Sequence, residues 1–422
     1  MLELTYLRTN RDEAVERLSK RGIDAAALVD EALRLDGERR SVQNDHDARL
    51  AELNTISREI GNLMKAGQRE EAEAAKARTT ELKEAIQVLK DRLTSAEKAL
   101  HDHLSDLPNA PLPEVPAGRS ADDNVVVMEH GDKPGLPEGA QPHWELGERY
   151  DLIHMDLGVK LTGAGFPVYT GAGAKLQRAL IAFFLDRAIA AGYREVMPPL
   201  LVNADSAFGT GQLPDKEGQM YHATEDGLYL IPTAEVPITN LYRDELLDPD
   251  QLPIALVGHT PCFRREAGSY GKDVRGLNRV HQFDKVEIVR IEHPDRSREA
   301  LEEMVAHVRG LLEALELPYR QLLLCGGDMG SVSAMTYDME VWAAAQGRWL
   351  EVSSISTFTT YQSNRLKLRY RDGKRNQLAH TLNGSALALA RIVAALLENN
   401  QTPDGIRIPA ALHPYTGFDI IR

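Results

Sequence analysis

One stretch of the sequence constrains the fold more than any other, because its pattern favours a single kind of structure. Between residues 30 and 104 there is no proline, and glycine occurs only at Gly37, Gly61 and Gly67. Apolar residues recur there in steps of three and four, at Leu50, Leu53, Ile56, Ile60 and Leu63 and again at Leu82, Ile86, Leu89, Leu93, Ala96, Leu100 and Leu104. This spacing predicts helices with the narrow apolar seam of a coiled coil.

The two apolar runs are separated by residues 65–68, whose sequence KAGQ predicts a turn. Two helices joined by so short a turn would fold back antiparallel and bury their seams against each other. A dimerisation coiled coil, or a helical pair packed on a core, explains the same periodicity. Basic and acidic residues are mixed along the stretch, so no basic stripe marks a nucleic-acid site.

The composition of the chain changes after this helical hairpin. Proline cannot continue a helix and favours an extended spacer, and four prolines follow at Pro108, Pro111, Pro113 and Pro116. We therefore predict a helical N-terminal domain over residues 1–108 and a second domain over 109–422, with residues 109–120 as its proline-rich linker.

The second domain alternates short apolar runs with helical patterns. The runs at 228–233, 254–263, 280–291 and 348–357 predict strands. Helices are predicted at 172–191, 296–315 and 384–399. The fold class is therefore α+β, with a long antiparallel helical hairpin followed by a largely antiparallel sheet flanked by helices.

Composition and missing motifs exclude several function classes. The net charge of −14 argues against nonspecific binding to a nucleic-acid backbone. The sequence contains no run of about 18 apolar residues, so no membrane helix is predicted. The N-terminus lacks the apolar core of a secretory signal. Two cysteines cannot form a disulfide framework. We expect a cytoplasmic protein that does not bind membranes. The sequence has no complete phosphate-loop, dinucleotide-binding, H-E-x-x-H or C-x-x-C motif, and its thirteen histidines show no metal-ligand spacing.

Residues 262–287 carry the strongest chemical pattern and predict a β-hairpin with a long loop. The loop is rich in glycine, at Gly268, Gly271 and Gly276. Alternation places Phe283, Lys285 and Glu287 on one face of the returning strand, and likewise Arg264 with Glu266 on the first strand. An aromatic ring, a cation and a carboxylate on one face could bind a nucleotide and a zwitterion, and arginine offers a planar fork for phosphate. A solvated charged hairpin is the alternative.

This hairpin resembles motif 2 of the class II aminoacyl-tRNA synthetases, in its seryl form. The run GYREVMPP at residues 192–199 resembles motif 1, and residues 383–399, which begin NGS and contain Arg391, resemble motif 3. The tripeptide TAE at 233–235 resembles the serine-binding loop of the seryl enzymes. The run FGTGQLP at 208–214 and the helical hairpin also match, so the resemblance covers the whole chain in order.

The resemblance implies a two-step reaction. Serine and ATP form seryl-adenylate and pyrophosphate, and the seryl group then passes to the 3′ end of tRNA(Ser). The selenocysteine tRNA, tRNA(Sec), would be a further acceptor if it shares the long variable arm. The resemblance also implies a requirement for Mg²⁺, and we expect no zinc because no ligand set resembles that of the zinc-dependent seryl enzymes.

The resemblance assigns site residues by role. The catalytic residues would be Arg264, Glu351 and Arg391. Serine would be bound by Thr233, Glu235, Arg264, Glu287 and Ser385. ATP would be bound by Arg264, Glu266, Val280, Phe283, Glu351, Val352, Ser353, Ser354 and Arg391. The Mg²⁺ ligands would be Glu351 and Ser354.

The resemblance also gives the helical hairpin a role in binding tRNA by shape. The candidate contacts are basic residues near its tip, at Arg58, Lys65, Arg69, Lys76 and Arg78, although each one taken singly is more readily explained as a solvated charge. Motif 1 implies a homodimer. Motif 3 has alanine at Ala386 and Ala390, positions that are often glycine, and we expect its helix to be intact with Arg391 aimed inward.

Three competing functions remain at this point. Threonyl and prolyl synthetases share motifs 2 and 3 but do not combine the helical hairpin with TAE and GTGQLP. A synthetase-like paralogue that charges a carrier protein would lack the hairpin. A coiled-coil RNA-binding scaffold with a degenerate body would not need to retain the charged residues Arg264, Glu266, Glu287, Glu351 and Arg391.

Overall fold

The structure is a computed structural model that describes residues 1–266 and 275–422. The chain divides into two compact units. One consists of Leu2–Ser19 and Ile23–Pro108, and the other of Met1, Lys20–Gly22 and Asn109–Arg422. Among the helices in these described ranges, none has the length and apolarity that a bilayer span requires.

The smaller unit is helical, with α1 Leu4–Thr9, α2 Arg11–Ser19, α3 Ala25–Lys65 and α4 Arg69–Asp106. Helix α3 is capped by Asp24, whose carboxylate accepts a hydrogen bond from the Ala27 amide at 3.2 Å. The predicted hairpin is present, and Gly67 has a φ of 78° in its turn.

Contacts between α3 and α4 establish their antiparallel direction. His103 bonds the Leu28 carbonyl at 2.8 Å, and Arg78 bonds Glu52 at 2.8 Å nearer the turn. As the position on α3 advances from Leu28 to Glu52, its partner on α4 goes back from His103 to Arg78, so the two helices run antiparallel. The seam residues of α4 that are buried are Leu82, Ala96, Leu100 and Leu104.

The larger unit combines helices with several sheets. Its helices are α5 His143–Arg149, α6 Met155–Leu161, α7 Gly171–Ala190, α8 Ala204–Thr210, α9 Glu235–Asn240, α10 Ser297–Ala314, α11 Tyr361–Leu366, α12 Leu389–Asn399 and α13 His413–Thr416. The strands are β1 Val125–His130, β2 Ile153–His154, β3 Val168–Tyr169, β4 Arg194–Glu195, β5 Leu201–Val202, β6 His222–Ala223, β7 Leu228–Leu230, β8 Leu246–Leu247, β9 Ile254–Phe263, β10 Gln282–Glu292, β11 Tyr319–Leu323, β12 Met335–Ala343, β13 Arg348–Thr359, β14 Arg369–Asp372, β15 Arg375–Leu378, β16 His380–Ala388, β17 Gln401–Thr402, β18 Gly405–Arg407 and β19 Ile420–Ile421.

The main sheet has the order β1-β11-β12-β13-β16-β10-β9-β4. Every neighbouring pair is antiparallel except β4 and β9, which are parallel. Helices α7, α10 and α12 pack on this sheet and bury one continuous apolar core against it. The predicted α+β class with an antiparallel sheet flanked by helices is confirmed.

The predicted helices agree with the structure except at motif 3. The helices expected at 172–191 and 296–315 are α7 and α10, each within a residue of its expected ends. The helix expected at 384–399 begins only at Leu389, because Gly384–Ala388 belongs to strand β16. Ala386 therefore lies in the sheet, and Ala390 lies in the helix. Both cysteines, Cys262 and Cys325, are free and buried.

Candidate active site

The predicted β-hairpin is formed by β9 and β10, which pair from Phe263 with Gln282 to Ile254 with Ile291. Strand β9 ends at Phe263, so Arg264 and Glu266 lie beyond it, and Glu266 has a left-handed φ of 48°. The expectation that these two residues share a strand face was therefore wrong. Residues 267–274, which include the predicted loop positions Gly268 and Gly271, lie outside the described residues.

The centre of the site is a buried carboxylate on β10. Glu287 has no exposed surface, and its Oε2 atom lies 2.7 Å from the Lys285 ammonium. Alternation along the strand thus brings Lys285 and Glu287 to one face, as predicted. Three neutral donors complete the shell of Glu287, at distances of 2.9–3.4 Å: Thr233, Asn383 and Ser385. This shell offsets the cost of burying the charge.

A second buried carboxylate, Glu235, stands at the start of α9. Its side chain accepts a hydrogen bond of 2.7 Å from Gln362, whose own oxygen accepts one from Thr381. Burial is the main cause that raises the pKa of Glu235 to about 7, and the negative charge of Glu287 raises it further. The two buried carboxylates are close enough to interact, so a cation bound beside them would be stabilised.

Arg264 lies between this pocket and an aromatic ring. Its Nε donates to the Pro232 carbonyl at 3.3 Å, and its guanidinium lies 5.3 Å from the centre of the Phe283 ring. The backbone of Arg264 is fixed by His281, because the Arg264 amide donates to the His281 carbonyl at 2.9 Å. The arginine can thus reach a ligand that extends from the carboxylate pocket to the ring.

The neighbouring region contains the other residues assigned to ATP. Phe283 is half-buried beside the core, and Val280 is buried within it. Glu266 pairs with Arg279 at 3.1 Å. Arg391, on α12, donates to the Glu351 carbonyl at 2.8 Å and to the Asn278 carbonyl at 2.9 Å, so its side chain lies against strand β13.

Strand β13 supplies Glu351, Val352, Ser353 and Ser354. Val352 and Ser353 are buried, and the Ser353 hydroxyl donates to the Ser385 carbonyl at 2.5 Å. Ser354 is hydrogen-bonded to Asp338, its partner across the sheet. Burial and the nearby charge of Glu351 raise the pKa of Asp338.

Sequence reasoning did not identify Asn383, Gln362 and Asp338 as site residues. Asn383 stands two residues before Ser385 on the same strand, so alternation could have placed both on one face. Asp338 could have been found only from the strand pairing. Gln362 comes from a helix that is distant in sequence, and no local pattern indicates it.

The tRNA candidates in the smaller unit are all exposed. Lys76 pairs with Glu73 at 2.6 Å, and Arg78 pairs with Glu52 and Glu81. Within the described part of the chain, the side-chain hydrogen bonds and ion pairs of this unit do not involve Arg58, Lys65 or Arg69. A side chain without a protein partner is the more available for a phosphate.

Comparisons with known proteins agree with this architecture. Residues 219–400 match the family model described as the tRNA synthetase class II core domain (G, H, P, S and T). Residues 1–111 match the seryl-tRNA synthetase N-terminal domain. The larger unit therefore contains the core domain of a class II aminoacyl-tRNA synthetase.

Similarity to known proteins over the full length of the chain identifies the family within class II. A serine–tRNA ligase of Salinibacter ruber is 51% identical, with 99% of this chain and 98% of that protein covered. The seryl-tRNA synthetase of Pyrococcus horikoshii, solved with ATP, superposes with a TM-score of 0.93 at 36% identity, covering 100% of this chain and 99% of that one. The cytoplasmic serine–tRNA ligase of Naegleria fowleri, solved with AMP, gives 0.88 at 26% identity with the same coverage. The chain belongs to the seryl-tRNA synthetase family of enzymes.

Proposed function

We propose that the pocket around Glu235 and Glu287 binds L-serine and that the chain joins serine to tRNA(Ser) at the expense of ATP. The observation that carries this proposal is the pair of buried carboxylates beside Arg264. Their charge suits the ammonium group of an amino acid. Thr233 and Ser385 add hydroxyl groups that can recognise the serine side chain, and a site built to bind a hydroxyl strongly rejects an analogue that lacks it.

Activation requires two anions to approach each other. A carboxylate oxygen of serine attacks the α-phosphorus of ATP, and the bond from that phosphorus to the bridging oxygen breaks, so pyrophosphate leaves with the electron pair. Orientation and charge neutralisation supply most of the catalysis in such a step. Arg264 has the position for this role, because it joins the serine pocket to the ring of Phe283.

The adenine would stack on Phe283 and lie against Val280, while Glu266 would accept from its amino group. Arg391 would bind the distal phosphate. Its side chain is already held by the carbonyls of Asn278 and Glu351, so it needs little ordering when the nucleotide arrives.

The residues on β13 fit a Mg²⁺ ion. Glu351 presents a carboxylate whose side chain is 50% exposed, and Ser354 a hydroxyl. Among the described residues, the buried Oδ1 of Asp338 has no hydrogen-bond partner, and no group of three His, Cys, Asp or Glu side chains could hold a metal alone. This suits an ion that takes few protein oxygens together with substrate phosphates. When bound, Mg²⁺ would neutralise phosphate charge.

In the second step, a 3′-terminal hydroxyl of tRNA would attack the seryl carbonyl carbon and release AMP. We assign tRNA binding to the α3–α4 hairpin, with Arg58, Lys65, Arg69, Lys76 and Arg78 as candidate contacts. A hairpin that recognises shape would also accept tRNA(Sec) if it carries a long variable arm. Aminoacylation assays with both tRNAs distinguish the two specificities.

We further propose that the chain acts as a homodimer in the cytoplasm. Large apolar side chains stand exposed around motif 1, with Met197 91% exposed and Ile189 and Leu201 close to half exposed. Sedimentation of the Met197→Asp variant tests this, since a variant that sediments as the wild type does would contradict it. Two buried free cysteines suit a reducing compartment.

The serine pocket is tested by Glu287→Gln. We expect the KM for serine in ATP–pyrophosphate exchange to rise about 100-fold, because one charge-assisted contact is lost. Asp284→Asn is the matched control, since Asp284 lies on the same strand but pairs with His259 at 2.8 Å. Equal serine KM values for Glu287→Gln and wild type would refute the assignment.

A further inference from the structure

A second buried carboxylate network lies outside the residues assigned above. Glu398, in the last turn of α12, has no exposed surface. Its Oε1 accepts from the amide and Nδ1 of His143 and from the Gln346 side chain, and its Oε2 accepts from the amides of Ala345 and Gln346, at 2.7–3.2 Å. Five donors on one carboxylate make a rigid anchor.

The two side chains bound to Glu398 each form a further hydrogen bond to the segment 277–278. His143 Nε2 accepts from the Leu277 amide at 2.8 Å. Gln346 Oε1 accepts from the Asn278 side chain at 2.8 Å. Glu398 therefore fixes residues 277 and 278 through two separate arms, one to the backbone and one to a side chain.

The partners of His143 determine its tautomer. A backbone amide can only donate, so Nε2 must be unprotonated, and the proton lies on Nδ1, which donates to Glu398. His143 is thus neutral and bonded at both nitrogens. Gly276 packs directly against the His143 ring, because a Cβ placed on Gly276 would lie 2.3 Å from Nε2 of His143.

The fixed segment leads directly to Arg391. The Asn278 carbonyl accepts from Arg391 Nε at 2.9 Å, and Arg391 and Glu398 stand seven residues apart, on one face of α12 two turns from each other. The helix is therefore tied to residues 277–278 at both points. Val280 and Phe283 follow two and five residues later.

We infer that His143 is a positioning residue for ATP, acting through the Leu277 amide on Asn278 and Arg391. It has no exposed surface and so touches no substrate. This inference rests on the proposed ATP site. The serine pocket contacts other residues, so the effect should fall on ATP and leave serine unaffected.

Two polar variants separate the arms of His143. Gln reaches the position of Nε2 and can still accept from Leu277, whereas Asn reaches only the position of Nδ1 and keeps the bond to Glu398. We expect His143→Asn to raise the KM for ATP in pyrophosphate exchange about tenfold. The Kd for ATP, measured by calorimetry, should rise by about the same factor. The KM for serine should stay within about twofold of the wild-type value. His143→Gln should stay within about threefold of wild type for both substrates.

His380→Leu is the matched control, because His380 bonds Ser297 at 2.7 Å and is unconnected to residues 277–278. It should lower the melting temperature without changing the ATP KM. Gly276→Ala perturbs the same contact independently and should reproduce the His143→Asn phenotype. Equal ATP constants for His143→Asn and wild type, or parallel changes in ATP and serine KM, would overturn the inference. A wild-type protein that does not bind ATP would instead refute the proposed function.

Discussion

The titration of Glu235 makes serine binding depend on pH in a direction that the structure fixes. Burial and Glu287 raise the pKa of Glu235 to about 7 in the free protein. If this carboxylate receives the serine ammonium, only its ionised form binds well. Serine binding at pH 6 must therefore expel a proton that it need not expel at pH 8.

The magnitude follows from the ionised fraction. With a pKa of about 7, roughly one molecule in eleven is ionised at pH 6 and ten in eleven at pH 8. The apparent Kd is the intrinsic Kd divided by the competent fraction. We therefore expect serine to bind about tenfold more weakly at pH 6 than at pH 8, with close to one proton released per serine at pH 6.

Isothermal titration calorimetry in two buffers of different ionisation enthalpy measures both the Kd and the protons released. Glu235→Gln is the control, because Gln can still accept from Gln362 but cannot titrate. Its serine affinity should be weak and flat between pH 6 and 8. A wild-type Kd that is constant over this range, or tighter at pH 6, would refute the role given to Glu235.

Further predictions concern activation, stability and metal dependence. Arg264→Ala should reduce the rate of ATP–pyrophosphate exchange at least about 1,000-fold with an unchanged melting temperature. Arg264→Lys should not restore the rate, because an ammonium lacks the planar fork of a guanidinium. Exchange rates above a tenth of wild type would contradict this. Leu82→Ala removes a fully buried seam residue and should cost about 2–4 kcal/mol of unfolding free energy in the helical unit, measured by denaturant titration, while exchange persists. Glu351→Ala should raise the Mg²⁺ concentration for half-maximal exchange, measured by titration, and an unchanged midpoint would remove it from the metal site. For stability, Glu235 favours folding below its unfolded pKa and loses that contribution as the pH rises through about 7, so Glu235→Gln should gain stability relative to wild type between pH 6 and 8.

Periodicity predicted the two long helices, and the short turn at residues 65–68 favoured an antiparallel pair over the other packings that the same seam allows. Alternation was likewise sufficient to bring Lys285 and Glu287 together. It failed for Arg264 and Glu266, since β9 ends at Phe263 and no sequence signal marks that end.

The wrong boundary in motif 3 has a different cause. The alanines and leucines of the segment GSALALA have high helical propensity, yet Gly384 and Ser385 pair with β10 on one side, and Gly384 pairs with β13 on the other. Central pairing in a sheet overrides propensity. The pairing of β12 with β13 brings Asp338 to Ser354, and packing brings Gln362 to Glu235. A single sequence does not record such long-range contacts.

The central claim, that this site activates serine with ATP, is tested most directly by ATP–pyrophosphate exchange with each of the twenty amino acids and no tRNA. We predict exchange with serine and none with alanine, proline or the other amino acids above a small fraction of the serine rate. Exchange driven by threonine or proline in preference to serine would contradict the pocket, and the absence of exchange with every amino acid would contradict the activity.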